Sequence, residues 1–300
     1  MMSLPKSVTE FSDSREHKVM IFLPMCLCLH VTLASFHPVA ISPDAAATRA
    51  WILSLESIEG GFASQPGGKP SLRATLGAIR ALKKLQAKPA NPGKIRSFVE
   101  KCLGPDGFAD QPGGKSSTML QAIGLMVALD TGIDPASLTP EWVRLEMSAS
   151  DFEGIRLASA AMESGQRKTA KSTDWIQFVE TTMHKGQAGD IRLQGGAVAA
   201  LLRLGVEKSQ EEKMALVKLL IAGSKADGSW GHIESTTGDL DSSYRILRAV
   251  VMLGGHMDGK TLKRFIARCR HSGGGYSVQP GKPATVSATY QALTLLEWLK

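Results

Sequence analysis

The chain repeats an unusual phrase. GGFASQPGGKPSLRAT at 60–75 returns as DGFADQPGGKSST at 106–118 and as GGYSVQPGKPATVSATY at 274–290. Phe62 and Phe108 are 46 residues apart, as are Gln65 and Gln111, and Pro66 and Pro112. In the C-terminal half Trp230 and Tyr276 keep the same spacing of 46, and so do Tyr244 and Tyr290. A fixed period in this range marks an array of like supersecondary units that bury their faces against one another.

Each unit has one grammar. An apolar-periodic segment of helical length comes first, as in AAATRAWILSLESI (45–58), KIRSFVEKCL (94–103), MALVKLLIAGS (214–224) and TLKRFIARC (261–269). A turn ending in an aromatic follows: Gly61-Phe62, Gly107-Phe108, Ser229-Trp230, Gly275-Tyr276. After a polar loop comes a more apolar helix: LRATLGAIRALKKL (72–85), TMLQAIGLMVAL (118–129), YRILRAVVML (244–253) and TYQALTLLEWL (289–299). Glycine allows the reversal, the aromatic plugs the joint, and Ser71, Ser116, Asp241 and Thr285 stand where a helix N-cap is needed. Two worn units lie between: EWVRLEMSAS with DFEGIRLASAAMES (151–164), and DWIQFVETTMHKG with DIRLQGGAVAALLRLG (190–205). The count is six helical hairpins. The second helix of each is the drier, which predicts an all-α, closed double ring, an (α/α)6 toroid over 41–300, rather than an open solenoid with polar end caps.

The wording resembles a known family. Gly-Gly-Phe-x-x-Gln-Pro-Gly before a Thr/Tyr-Ala-Leu helix is similar to the repeat of protein prenyltransferase β subunits. DGSWG at 227–231 is similar to the Gly-x-Trp turn of squalene–hopene and oxidosqualene cyclases. The resemblance implies the α/α toroid and an isoprenoid or other apolar ligand in a central cavity. It also implies zinc held by an Asp-x-Cys pair and a distant His, with a partner of the α-subunit kind. This chain has no Asp-x-Cys, and His232 and His256 are loosely placed, so neither zinc nor another cofactor is expected.

The cyclase side of the resemblance implies an Asp-x-Asp-Asp acid. Asp239-Leu240-Asp241-Ser242 matches it except for its last carboxylate, making Asp241 and Asp239 the candidate catalytic residues. An N-cap role is the competing reading, and a helix N-terminus depresses an Asp pKa, the wrong direction for a waiting acid. For an anionic head group such as a diphosphate, helix N-termini together with Lys69, Lys115 and Lys282 in the loops are the candidates. Arg73, Arg245, Tyr244 and Tyr290 at the starts of second helices join them. The alternative is a non-catalytic exported binding or interaction module on the same ring. A carbohydrate-active (α/α)6 enzyme would need two carboxylates across a cleft, and no pair stands out.

Composition narrows the rest. Hydrophobic residues make up 43% of the chain and aromatics only 6%, so the core is aliphatic and a cation-protecting aromatic cavity is poorly supplied. The net charge of +7 is scattered, without a basic block interleaved with aromatics, which argues against nucleic acid. Residues 1–40 differ: Lys6, Arg15 and Lys18 precede VMIFLPMCLCLHVTLASF (19–36) and the small residues Ala34, Ser35 and Ala40. This is the pattern of an export signal, predicting a periplasmic or secreted protein with no membrane span in the mature chain. A membrane anchor and a cytoplasmic protein with an unusual leader are the alternatives. Cys26 and Cys28 fall in that leader, while Cys102 in FVEKC and Cys269 in FIARC occupy matching places, which favours two equivalent buried niches over a disulfide.

Overall fold

The computed structural model describes residues 43–186 and 190–300. The predicted leader, with Cys26 and Cys28, lies outside them. Among the described residues are six helical hairpins. The first helices are α1 (Pro43–Leu53), α3 (Pro92–Lys101), α5 (Thr139–Ser148), α7 (Ser172–Lys185), α9 (Gln210–Ala222) and α11 (Lys260–Arg268). The second are α2 (Leu72–Lys84), α4 (Thr118–Asp130), α6 (Phe152–Ser164), α8 (Ile191–Arg203), α10 (Leu240–Met252) and α12 (Val286–Trp298). Each second helix packs against the second helix of the next hairpin, and α12 packs against α2, so these six close an inner ring. The first helices pack outside it, the (α/α)6 arrangement expected from the repeat.

The two rings are terminated differently. Every inner helix has a side-chain N-cap, from Ser71, Ser117, Asp151, Asp190, Asp239 and Thr285 in turn. Four of the outer helices have none. Two expected caps are corrected here: Ser117 rather than Ser116, and Asp239 rather than Asp241. In both cases the extended residue that can turn its oxygen onto the third helical N–H lies one or two positions from the predicted one.

The repeated phrase forms the joint between the helices. Short antiparallel pairs, β1 (Phe62–Ala63) with β2 (Pro70–Ser71) and β5 (Tyr276–Ser277) with β6 (Ala284–Thr285), fold the Gln-Pro-Gly loop back toward the inner helix. In the second hairpin β3 (Leu103–Gly104) pairs instead with β4 (Gly107–Phe108). Phe62, Phe108, Trp230 and Tyr276 are all buried in their joints. Burial strands the backbone N–H of each plug, and a side chain 13 residues later accepts it. The acceptors are Thr75 Oγ1 at 3.0 Å, Gln121 Oε1 at 2.9 Å, Ser243 Oγ at 3.1 Å and Thr289 Oγ1 at 2.9 Å. The three hydroxyls also donate to the carbonyl of the helix's N-cap residue, at 2.7–2.8 Å. One oxygen therefore ties plug, cap and first turn together.

Neighbouring hairpins meet at the same joint. A Cβ on Gly60 would lie 2.2 Å from the Lys94 carbonyl oxygen of α3, and one on Gly274 would lie 2.4 Å from the Ala47 carbonyl oxygen of α1. Both glycines have φ near +100°, which other residues rarely adopt. The sixth hairpin thus grips the first as the first grips the second. The seam is completed by Val286 N–H to the Ser64 carbonyl at 3.0 Å, Thr48 Oγ1 to the Gly274 carbonyl at 2.8 Å, and Arg270 with Asp44 at 2.9 Å.

Cys102 and Cys269 are free, buried and placed at the ends of α3 and α11. Burial pushes each thiol up to about 12, so both are packing residues with little thiolate character.

Two substitutions test the joint. Thr75→Val keeps the shape but strands the buried Phe62 N–H, and should lower unfolding free energy in urea by about 1–3 kcal/mol. Gly124→Ala would place a Cβ 2.0 Å from Phe108 Cγ, and overpacking of this kind costs about 1–3 kcal/mol, measurable by the same titration.

Candidate functional site

All six inner helices contribute to a central cavity of about 200 Å³. Leu76 of α2, Ile123 and Met126 of α4 and Leu157 and Ala160 of α6 make an apolar wall. Facing it are Arg203 of α8, Tyr244, Arg245 and Arg248 of α10 and Tyr290 of α12, with Arg80 and Arg156 between the two walls. The inward stripe follows from helical spacing: Asp241, Tyr244, Arg245 and Arg248 recur three or four residues apart along α10 and share one face.

Near the N-terminal ends of the inner helices these charges form a lattice. Asp241 accepts from Arg192 Nη2 at 2.9 Å and Gln291 Nε2 at 2.9 Å, and meets Arg245 Nε at 3.0 Å. Glu153 holds Arg156 and Arg245, both at 2.7 Å. Burial opposes ionisation of both carboxyls, but the arginines outweigh it. Arg245, Arg192 and Arg156 hold Asp241 below its ordinary pKa, and Arg156 with Arg245 do the same for Glu153. Burial and the charge of Arg245 in turn hold Arg156 below its usual value.

Toward the other end, Arg80 pairs with Asp130 at 2.7 Å and Arg203 with Glu163 at 2.8 Å. Tyr244 and Tyr290, one repeat apart, bring their hydroxyls to 3.3 Å. Tyr244 stacks on Trp298 with ring centroids 5.5 Å apart. Burial pushes the Tyr244 phenol up. Tyr290, half-buried, is pushed up by burial but held below its usual value overall by the Tyr244 hydrogen bond and by Arg248, Arg80 and Lys84.

The structure separates the sequence-predicted residues into three groups. Arg245, Tyr244 and Tyr290 line the cavity, with Asp241 bonded to its rim. Asp239 is occupied as a cap, accepting from the Ser242 N–H at 2.7 Å and hydroxyl at 2.9 Å. Lys69, Lys115 and Lys282 are exposed on the loops, and Arg73 is committed to Asp110 at 2.9 Å. None of these last four reaches the cavity lining. The sequence reading missed Arg80, Arg156, Arg203 and Arg248. Their signal was a cation on the inward stripe of an otherwise apolar second helix.

Among the described residues no group of three His, Cys, Asp or Glu converges on one point, and both thiols are buried in outer helices rather than facing the cavity. No described helix is long and apolar enough to cross a membrane.

Comparison with known proteins addresses the fold. No curated protein sequence matches this chain. Among solved structures, a glycosidase variant in complex with glucose superposes with a TM-score of 0.57 at 12% identity, covering 85% of this chain and 96% of that one. A second glycosidase variant superposes with the same score at 13% identity and the same coverage. At such identities the likeness concerns the ring of hairpins alone. The family model described as the prenyltransferase alpha-alpha toroid domain matches residues 2–128 and 158–300, and the chain belongs to that family.

Proposed function

We propose that this chain binds a small amphiphilic anion, with a short isoprenoid as the apolar part, in its central cavity, and that it does so without turnover. The observation that carries this reading is the division of the cavity into an aliphatic wall and a guanidinium–phenol wall. Such a site accepts a hydrocarbon on one side and a charge on the other. Its volume of about 200 Å³ is worth about seven waters at roughly 30 Å³ each. That suits one or two isoprene units and is far too small for a triterpene.

Acid catalysis of the cyclase kind is disfavoured by the charge lattice. A protonating acid must wait protonated, whereas the arginines around Asp241 and Glu153 favour their ionised forms. The same reasoning disfavours glycoside hydrolysis, which needs one carboxyl raised as the acid. A binding role uses the lattice as it stands: it fixes the ring's inner face and leaves the cavity pre-formed.

Calorimetric titration with prenyl compounds of one, two and three isoprene units tests the reading. Affinity should be greatest for one or two units and fall at least tenfold at three. Ala160→Phe, which fills the cavity from its apolar wall, should abolish binding while the protein still unfolds cooperatively. Binding that is indifferent to both chain length and Ala160→Phe would place the ligand elsewhere. Asp241 gives a separate prediction. Its folded pKa lies below the unfolded value near 3.9, so the stability it adds is present above that pH and lost as pH falls through the folded value. Its side chain is 35% exposed, which screens the pair, so Asp241→Asn should cost about 1–3 kcal/mol near neutrality. The variant should also show a shallower loss of stability below about pH 4, measured by urea unfolding across a pH series.

A further inference from the structure

The inner helices are not tied into the ring alike. The first N–H of α2, α10 and α12 donates to the carbonyl two residues past the plug of the next hairpin. The bonds run from Leu72 to Asp110 at 2.9 Å, from Leu240 to Val278 at 2.9 Å and from Val286 to Ser64 at 3.0 Å. α4 keeps a side-chain form of this tie, from Thr118 Oγ1 to the Ser148 carbonyl at 3.0 Å. Among the described residues neither α6 nor α8 makes such a bond to the main chain of the hairpin that follows.

α8 is held firmly on one side only. Toward α10 it packs closely: a Cβ on Gly195 would lie 3.0 Å from Ile246 Cα, and Arg192 bonds Asp241 at 2.9 Å. Toward α6 a Cβ on Gly196 would meet only the far ends of side chains, Arg156 Cδ at 3.3 Å and Phe152 Cζ at 3.4 Å. The hydrogen bond that joins α8 to α6 among the described residues is Arg203 to Glu163 at 2.8 Å. Glu163 is 48% exposed, and an ion pair open to solvent holds weakly. Burial and the like charge of Arg248 hold the Arg203 guanidinium below its usual value, so this tie is made against a repulsion. The helix itself, LQGGAVAALL over 193–202, carries mostly glycine and alanine, which interlock least with neighbouring helices.

Behind α8 there is room. The outer helices α7 and α9 leave a groove of about 260 Å³, lined by Met183, Val198, Leu201, Leu202, Ala215 and Leu216. On the opposite face of α8, Gly196, Ala199 and Arg203 line the central cavity. α9 buries Leu220 and exposes Met214 and Leu219, so sparse packing marks this sector as one of low local stability. We infer that α8 is a hinged stave of the ring. It swings about its contact with α10, outward into the groove, and so opens the cavity wall between α6 and α8. The device depends on the packing around α8 and not on what the cavity holds.

Methyl relaxation dispersion on the full chain reads such a shift, a collective motion on the microsecond-to-millisecond scale. Val198, Ala199 and Leu201 of α8 should show exchange, and Leu125 and Val127 of α4 and Val250 of α10 at least tenfold less. Ala215→Phe, which fills the groove from α9, should reduce the α8 exchange contribution at least tenfold. Glu163→Gln, which removes the tie to α6, should raise the open population at α8 severalfold and leave α4 unchanged. Comparison of helices within the unaltered protein needs no variant to fold. Uniform behaviour of the inner helices, or α8 exchange indifferent to both substitutions, would overturn the hinge. So would an equal response of α4 and α8 to Glu163→Gln, the mark of general destabilisation.

Discussion

The hydrogen bond from the plug residue's backbone N–H to a side chain 13 residues later is the constraint on which the rest of the structure depends. A buried aromatic at a tight turn is useful only if its own peptide group is satisfied, since a stranded buried N–H costs about 1–3 kcal/mol. Placing the acceptor in the first turn of the inner helix solves this and fixes where that helix starts. The inner helix is thereby set in both register and rotation. Its rotation decides which side chains face the centre of the ring, so cavity chemistry descends from a bond at the rim.

The interior follows a second rule. An inner ring of Ala, Leu and Ile could have closed on itself as a dry core. Instead guanidiniums enter it from α2, α6, α8 and α10, and most are matched by carboxylates on the same or another inner helix. Glu153 of α6 reaches Arg245 of α10, and Asp241 of α10 reaches Arg192 of α8. Such partly buried pairs add little net stability relative to apolar packing. What they do is hold the helices apart at a fixed spacing, so that a cavity persists where packing would otherwise fill it.

The fold was legible in the sequence because the repeat writes local and global structure together. Phe62, Phe108, Trp230 and Tyr276 announce the joints, and the worn middle units still keep their helical periodicity. The caps were nearly legible, displaced at Ser117 and Asp239 by positions that only backbone geometry distinguishes. The site was much less so. Lysines in the conspicuous loops drew attention outward, whereas the arginines that matter are spread over four helices far apart in the chain. Tyr244 and Tyr290 were found because they share the repeat period. Arg80, Arg156 and Arg203 have no such signature, and their convergence exists only after ring closure. The role of Thr75, Ser243 and Thr289 was likewise hidden, since a hydroxyl in a helix's first turn has several ordinary uses.

The seam between the sixth and first hairpins has a consequence for how the molecule is made. Most of the ring joins segments that are close in the chain, whereas the seam joins Thr48 to Gly274 and Ser64 to Val286. Loop-closure entropy grows with the length enclosed, and distant contacts slow folding. The adjacent hairpins can assemble in succession as an open arc, with the contacts across the seam the last to reward their own ordering. Until that moment the arc has two unsatisfied ends and no enclosed centre. The cavity is thus the final product of folding, present only once the chain has come full circle.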